Sequence, residues 1–174
     1  MSSIIVAGDT SGTVTLAAPA VAGTTTLTLP STSGTVVTTN TMPTGSVLQV
    51  VQVSYNTEFS TTSSTFADIG LSASITPSSS SNKVLVFYSI GYLIQDTNLA
   101  GIQLLRGATI LQSSIRAAAS SAHASYMHNE YLDSPSTTSS VTYKIQSNKN
   151  TGNAFATCWN AQQPSTITLM EIKA

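Results

Sequence analysis

The sequence predicts an all-β fold, an antiparallel jelly-roll-like β-sandwich preceded by an extended N-terminal arm of short strands. Three observations predict it. Val84-Leu85-Val86-Phe87-Tyr88 is an unbroken run of large apolar and aromatic residues, bounded by Thr76-Pro77-Ser78-Ser79-Ser80-Ser81 upstream and Gly91 downstream, which is the pattern of a central strand covered on both faces. About eight or nine short β-forming segments follow one another at fairly regular spacing, with Gly, Pro, Asn and Ser at the turns, the signature of a sandwich or barrel. Finally, residues 1–45 are built from a repeat that is too short to close a core by itself.

That repeat comprises Gly12-Thr13-Val14-Thr15-Leu16, Gly23-Thr24-Thr25-Thr26-Leu27 and Gly34-Thr35-Val36-Val37-Thr38, spaced by 11 residues, with Pro19 and Pro30 keeping the same spacing. Each unit offers a Gly or Pro turn and a short Thr/Val/Leu strand. Asp9 is the only charge before Glu58, so a lone arm would present strand edges that no charge protects. The arm is therefore expected to pair with copies of itself or to lie on another protein. Asn40-Thr41-Met42-Pro43-Thr44-Gly45 reads as the junction, and residues 46–174 as the sandwich.

Within the sandwich, Leu48-Gln49-Val50-Val51-Gln52-Val53 is the first strand and Phe66 to Ile75 holds the second, with Ser60 to Ser64 as a loop between them. The central run follows, and its Phe87 is the ring expected to be buried. Asp96-Thr97-Asn98 reads as a turn, and Ile102 to Arg106, Gly107 and Thr109-Ile110-Leu111 as a tight hairpin. Leu111, Ile115, Ala118 and Ala122 also fall at helical spacing, which leaves a short helix as the lesser alternative over 111–124. Tyr126 to Leu132 is the next strand, turned by Asp133-Ser134-Pro135-Ser136. Val141-Thr142-Tyr143-Lys144-Ile145-Gln146 alternates as a half-exposed strand does. Asn148 to Asn153 reads as a polar turn, and Phe155 to Trp159 and Ile167 to Ile172 as the last two strands.

Composition excludes several classes of function. Only 7% of the 174 residues are charged and the net charge is −1, so Ser and Thr must cover a nearly neutral surface. The six basic residues, Lys83, Arg106, Arg116, Lys144, Lys149 and Lys173, are scattered, leaving no footprint for nucleic acid or an anionic membrane. Near-zero net charge does little to keep a free domain soluble, which suits life within an assembly. Cys158 is the single cysteine, so no intrachain disulfide forms, and it reads as a small buried hydrophobe. The N-terminus has no basic region ahead of Ile4-Ile5-Val6, and no run of about 18 apolar residues occurs, so neither a signal peptide nor a membrane-spanning helix is expected.

A resemblance is carried by three segments of the sandwich. Ile75 to Val86 with its Thr-Pro-Ser-Ser-Ser-Ser-Asn-Lys core, Tyr131-Leu132-Asp133-Ser134-Pro135-Ser136 running on to Tyr143, and Ser165 to Ile172 resemble virion proteins of tailed bacteriophages, especially aquatic and cyanobacterial phages. The run from Gly8-Asp9-Thr10-Ser11-Gly12 to Thr39 is similar to the start of phage tail-fibre and decoration proteins. The resemblance implies a jelly-roll-like domain, laid out like the trimeric heads of complement C1q and tumour necrosis factor, on an anchoring arm. It implies a homotrimer in the virion, assembled in the host cytoplasm, whose partners are the major capsid protein or tail proteins.

No residue reads as catalytic, cofactor-binding or metal-ligating from the sequence. His128 and Glu130 would share a strand face, and His123 lies five residues before His128, yet neither sits in a metal motif, and hydrogen-bonded interface or surface histidines are the commoner case. Asp68, Asp96 and Asp133 sit near predicted turns without an Asp-x-Asp-x-Asp loop, so turn capping is the expectation. No Gly-x-Ser-x-Gly elbow or phosphate-binding loop is present. Three functions compete: a trimeric structural subunit, closer to capsid cement than to a fibre because 174 residues leave no room for a long shaft; a receptor-binding adhesin stacking a host glycan on Tyr126, Tyr131 or Trp159; and a glycan-cleaving enzyme, disfavoured by size.

Overall fold

A computed structural model describes residues 3–7, 10–17, 20–21, 23–24, 26, 31–33, 42–94, 99–117, 123–151, 155–157 and 164–174. The chain forms two compact units, Met1–Val37 and Thr38–Ala174. In the first unit, β1 (Ser3–Ala7) pairs antiparallel with β2 (Thr13–Ala17), the strand of the first repeat. The Ile4-Ile5-Val6 run is thus a strand, which composition alone did not single out. The second and third repeats lie largely outside the described residues.

The second unit contains β3 (Val47–Tyr55), β4 (Phe59–Thr61), β5 (Ala67–Ile75), β6 (Lys83–Ile94), β7 (Leu99–Arg106), β8 (Thr109–Ala117), β9 (His123–Asp133), β10 (Val141–Thr151), β11 (Phe155–Thr157) and β12 (Ser165–Ile172). Its pairings are nested. β7 pairs β8, β6 pairs β9, β5 pairs β10 and β3 pairs β12, all antiparallel, as if one long hairpin had been rolled up with its tip at Gly107. Gly107 adopts φ 58°, the left-handed conformation that a two-residue turn with glycine first requires. Rolling the hairpin gives two layers: β5-β10-β7-β8, and a six-stranded sheet in which β6 has β9 on one edge and β12 then β11 along the other. This is the jelly-roll-like sandwich that the spacing of short strands predicts. The junction is tied to the last strand, since Gly45 N donates to Lys173 O at 2.8 Å and Lys173 N to Ser46 O at 2.9 Å.

The core is a period-2 product. Val84, Val86, Tyr88 and Ile90 of β6 and Ile167 and Leu169 of β12 point inward to meet Ile69, Leu71 and Ile75 of β5 and Tyr143 and Ile145 of β10. Gly70 lets β5 take φ 92°, with the Tyr55 ring lying where a Cβ would stand. The same alternation corrects one expectation. Phe87 is not buried: it lies on the outer face with Lys83, Leu85 and Ser89 and is 40% exposed. The central run is apolar on both faces, and the described residues of this unit cover only one of them.

Two further departures have local causes. Residues 148–151 belong to β10 rather than to a turn, because β7 supplies backbone partners from Gly101 to Leu99, and Asn148 accepts from Gly101 N at 3.0 Å and donates to Ser64 O at 2.7 Å. The Ser-rich loop after β3 contains β4, which is held by pairing with β11. Residues 111–117 belong to strand β8 and pair with β7, so the lesser, helical alternative is not the one realised there. The turn proposed at Asp96-Thr97-Asn98, together with Cys158 and Trp159, lies outside the described residues.

Candidate assembly surfaces

Asp133, Asp68 and Glu171 are held in hydrogen-bond networks of structural kind. Asp133, at the end of β9 and nearly buried, takes Arg106 Nη1 at 2.7 and 2.9 Å and the Tyr143 hydroxyl at 2.6 Å, so it ties β9 to the opposite sheet instead of capping a turn. Burial, then the hydrogen bond to Asp133, pushes the Tyr143 phenol far above its ordinary value. Asp68 sits on an exposed face, where hydrogen bonds from Lys144 and Gln146 hold its carboxyl below the usual range. Asp96 lies outside the described residues.

Glu171 is the polar centre that the sequence reading missed. Alternation along β12 puts it inward in line with Ile167 and Leu169, where it is fully buried. Its Oε1 accepts from Ser78 N and Oγ at 2.7 Å and from Asn82 Nδ2 at 2.6 Å, while Oε2 accepts from Gln49 Nε2 at 2.5 Å. Burial works to raise its pKa, and these hydrogen bonds outweigh it and hold the carboxyl below the usual range. The Thr-Pro-Ser-Ser-Ser-Ser-Asn turn is thereby pinned to the C-terminal strand.

His128 and Glu130 do share the outer face of β9, where they sit opposite Ser89 and Phe87 of β6. The His128 ring stacks on Tyr126 with centroids 6.0 Å apart and planes 15° from parallel. Among the described residues no group of three His, Cys, Asp or Glu side chains is placed to hold a metal ion. His123 opens β9 opposite Ile94, and its side chain is outside what is described. Tyr126 lies half-buried on the outer face, Tyr131 packs against the core, and Trp159 is not described, so the three aromatics do not form one platform.

Among the described residues, two groups of exposed apolar side chains stand out, one within each unit. In the hairpin unit, Ile4 faces Leu16 and Val6 faces Val14, so four aliphatic side chains share one side, and each is more than half exposed. On the six-stranded sheet, Val50, Met170, Leu85 and Leu132 stand in register across β3, β12, β6 and β9. Next to this row, Phe87 sits between Thr168 and Glu130 at the edge of a shallow pocket of about 130 Å³ that Ser89, His128 and Thr166 also line.

No family model matches the chain, and no curated protein matches it. Among solved structures the chain is similar to infectious bursal disease virus of the Gx strain, at 13% identity and a TM-score of 0.40 over 97% of this chain and 46% of that one. It is also similar to a mutant VP2 protein of that virus from derived T=1 particles, at 17% identity and a TM-score of 0.37 over 94% of this chain and 43% of that one. The chain spans less than half the length of either.

Proposed function

We propose that this chain is a non-enzymatic structural protein of a tailed-phage virion, a homotrimeric knob of capsid cement type anchored by its N-terminal unit. The observation that carries the reading is the hairpin of Ser3–Ala7 and Thr13–Ala17, whose Ile4, Val6, Val14 and Leu16 have only one another to pack on within the hairpin. An isolated two-stranded hairpin is marginal in water at best, and this one gains stability when another protein covers it. These four are 55–65% exposed, so covering what remains of them is worth about 4–7 kcal/mol before the costs of association. Support also comes from the resemblance of the arm and of three sandwich segments to phage virion proteins, and from the nearly uncharged composition. Assembly in the host cytoplasm with the major capsid protein or tail proteins follows from the same reading.

The test adds intact protein, and protein lacking residues 1–40, to particles without it, and measures occupancy at low and high salt. The intact protein is expected to stay bound at high salt, because apolar contact and strand pairing leave screening little to weaken. The truncated protein is expected to fold and fail to bind. Equal occupancy of the two would assign anchoring to the sandwich and refute the reading. A second reading, an adhesin that recognises a host glycan, is favoured by the exposed Phe87 ring beside Glu130 and the hydroxyls of Ser89, Thr166 and Thr168. Saturable glycan binding that is lost in Phe87→Ala would establish it.

A further inference from the structure

The outer faces of the two sheets are finished in different ways. On the four-stranded sheet the side chains close a polar network of their own: Ser74 with Thr142 at 2.7 Å, Lys144 with Asp68 at 2.9 Å, and Gln146 with Asp68 and with Gln103 at 2.8 Å each. Apart from Ile110 at the β7–β8 turn, which is 56% exposed, the described part of this face is finished for water. On the six-stranded sheet the Val50-Met170-Leu85-Leu132 row crosses four strands, with Val50 55% and Leu132 50% exposed and Phe87 beside it. Contiguous apolar surface of this kind marks a contact with protein.

We infer that this face, centred on Leu85, Leu132 and Phe87, is where copies of this chain join. The argument for a second copy is charge complementarity. Lys83, two positions before Leu85 on β6, and Glu130, opposite Phe87 on β9, both lie on this face, and neither makes an ion pair among the described residues. The face thus carries an apolar row with a cation on one side of it and an anion on the other. Copies turning it toward a common axis set row against row and supply each Lys83 with a neighbour's Glu130. Four strands about 4.8 Å apart and eight residues long make a face of roughly 500 Å². That is below the ~800 Å² per partner of a standard interface, so the edge of β9 that has no strand partner among the described residues is drawn into the contact as well. The inference rests on the assembly reading above and names the surface it uses.

The experiment measures the mass of the full chain by sedimentation at micromolar concentration, with melting curves to verify folding. The intact chain is expected at three times 18.0 kDa. Leu132→Glu, at a half-exposed position, is expected to stay folded and weaken association at least about tenfold by setting an unpaired charge in the apolar row. Lys83→Glu is expected to weaken it too, and Lys83→Glu with Glu130→Lys to restore it, a rescue that loss of folding could not produce. A trimer that survives Leu132→Glu and is indifferent to the charge changes overturns this face and leaves the trimer standing. A monomeric intact chain overturns both, and added hexose shifting Phe87 and Glu130 resonances in such a monomer would reassign the face to saccharide.

Discussion

Replacing Glu171 with Gln tests the buried network that holds the β5–β6 turn to the last strand. The carboxylate accepts four hydrogen bonds from Gln49, Ser78 and Asn82, with no cation among the donors. An amide keeps one accepting oxygen for Ser78 and Asn82, and it turns an NH₂ group toward Gln49. Bonds to a charged acceptor contribute about 1.5–3 kcal/mol each against about 1 for neutral ones. The summed loss is expected to be about 2–4 kcal/mol, or a fall in Tm on the order of 10 °C for a domain of this size. The pH dependence is the sharper readout. Because the folded carboxyl is held below its ordinary value of 4.5, its stabilisation is present above that pH and is lost as pH falls through the folded pKa. The Gln variant has no such proton to bind, so the gap between the two proteins should narrow in acid. Melting both from pH 7 down to about pH 3, across the ordinary carboxylate range, decides it. Equal midpoints at pH 7, or a gap of constant size in acid, would refute the reasoning.

Two further substitutions address the core. Tyr143→Phe removes the 2.6 Å hydrogen bond to the buried Asp133 and is expected to cost about 1–3 kcal/mol by urea unfolding. Since the folded phenol titrates above its usual 10.0, that stabilisation is full below pH 10 and is lost as pH rises further, so the difference from the parent should shrink under alkaline conditions; a difference unchanged by alkali contradicts it. Ser147 is fully buried and its Oγ has no hydrogen-bond partner among the described residues, so Ser147→Ala should leave stability unchanged or raise it by about 1 kcal/mol, whereas a drop in the urea midpoint would show that the hydroxyl is satisfied.

Most strands were legible because turn residues punctuate them and one face of each is apolar. Val141 to Gln146 alternates cleanly, and its inward Tyr143 and Ile145 are buried as that pattern requires. The run of Val84 to Tyr88 located the central strand and concealed its orientation, since Leu85 and Phe87 are as apolar as Val84 and Val86. An apolar residue reports that something covers it, not whether the cover belongs to the same chain. Glu171 was legible in principle from Ile167-x-Leu169-x-Glu171, but a carboxylate is normally read as exposed, and its partners at Gln49, Ser78 and Asn82 come from distant parts of the chain. The polar Asn148-Lys149-Asn150 stretch was misread for the converse reason: pairing with β7 and the Asn148 hydrogen bonds satisfy groups that composition assigns to a loop.

The most direct test of the proposed role is to localise the chain on purified particles, by labelling it with antibody and imaging by electron microscopy. The expected result is label repeated over the capsid surface in every intact particle. Absence of the chain from purified virions, with all of it recovered as free protein, would contradict the account.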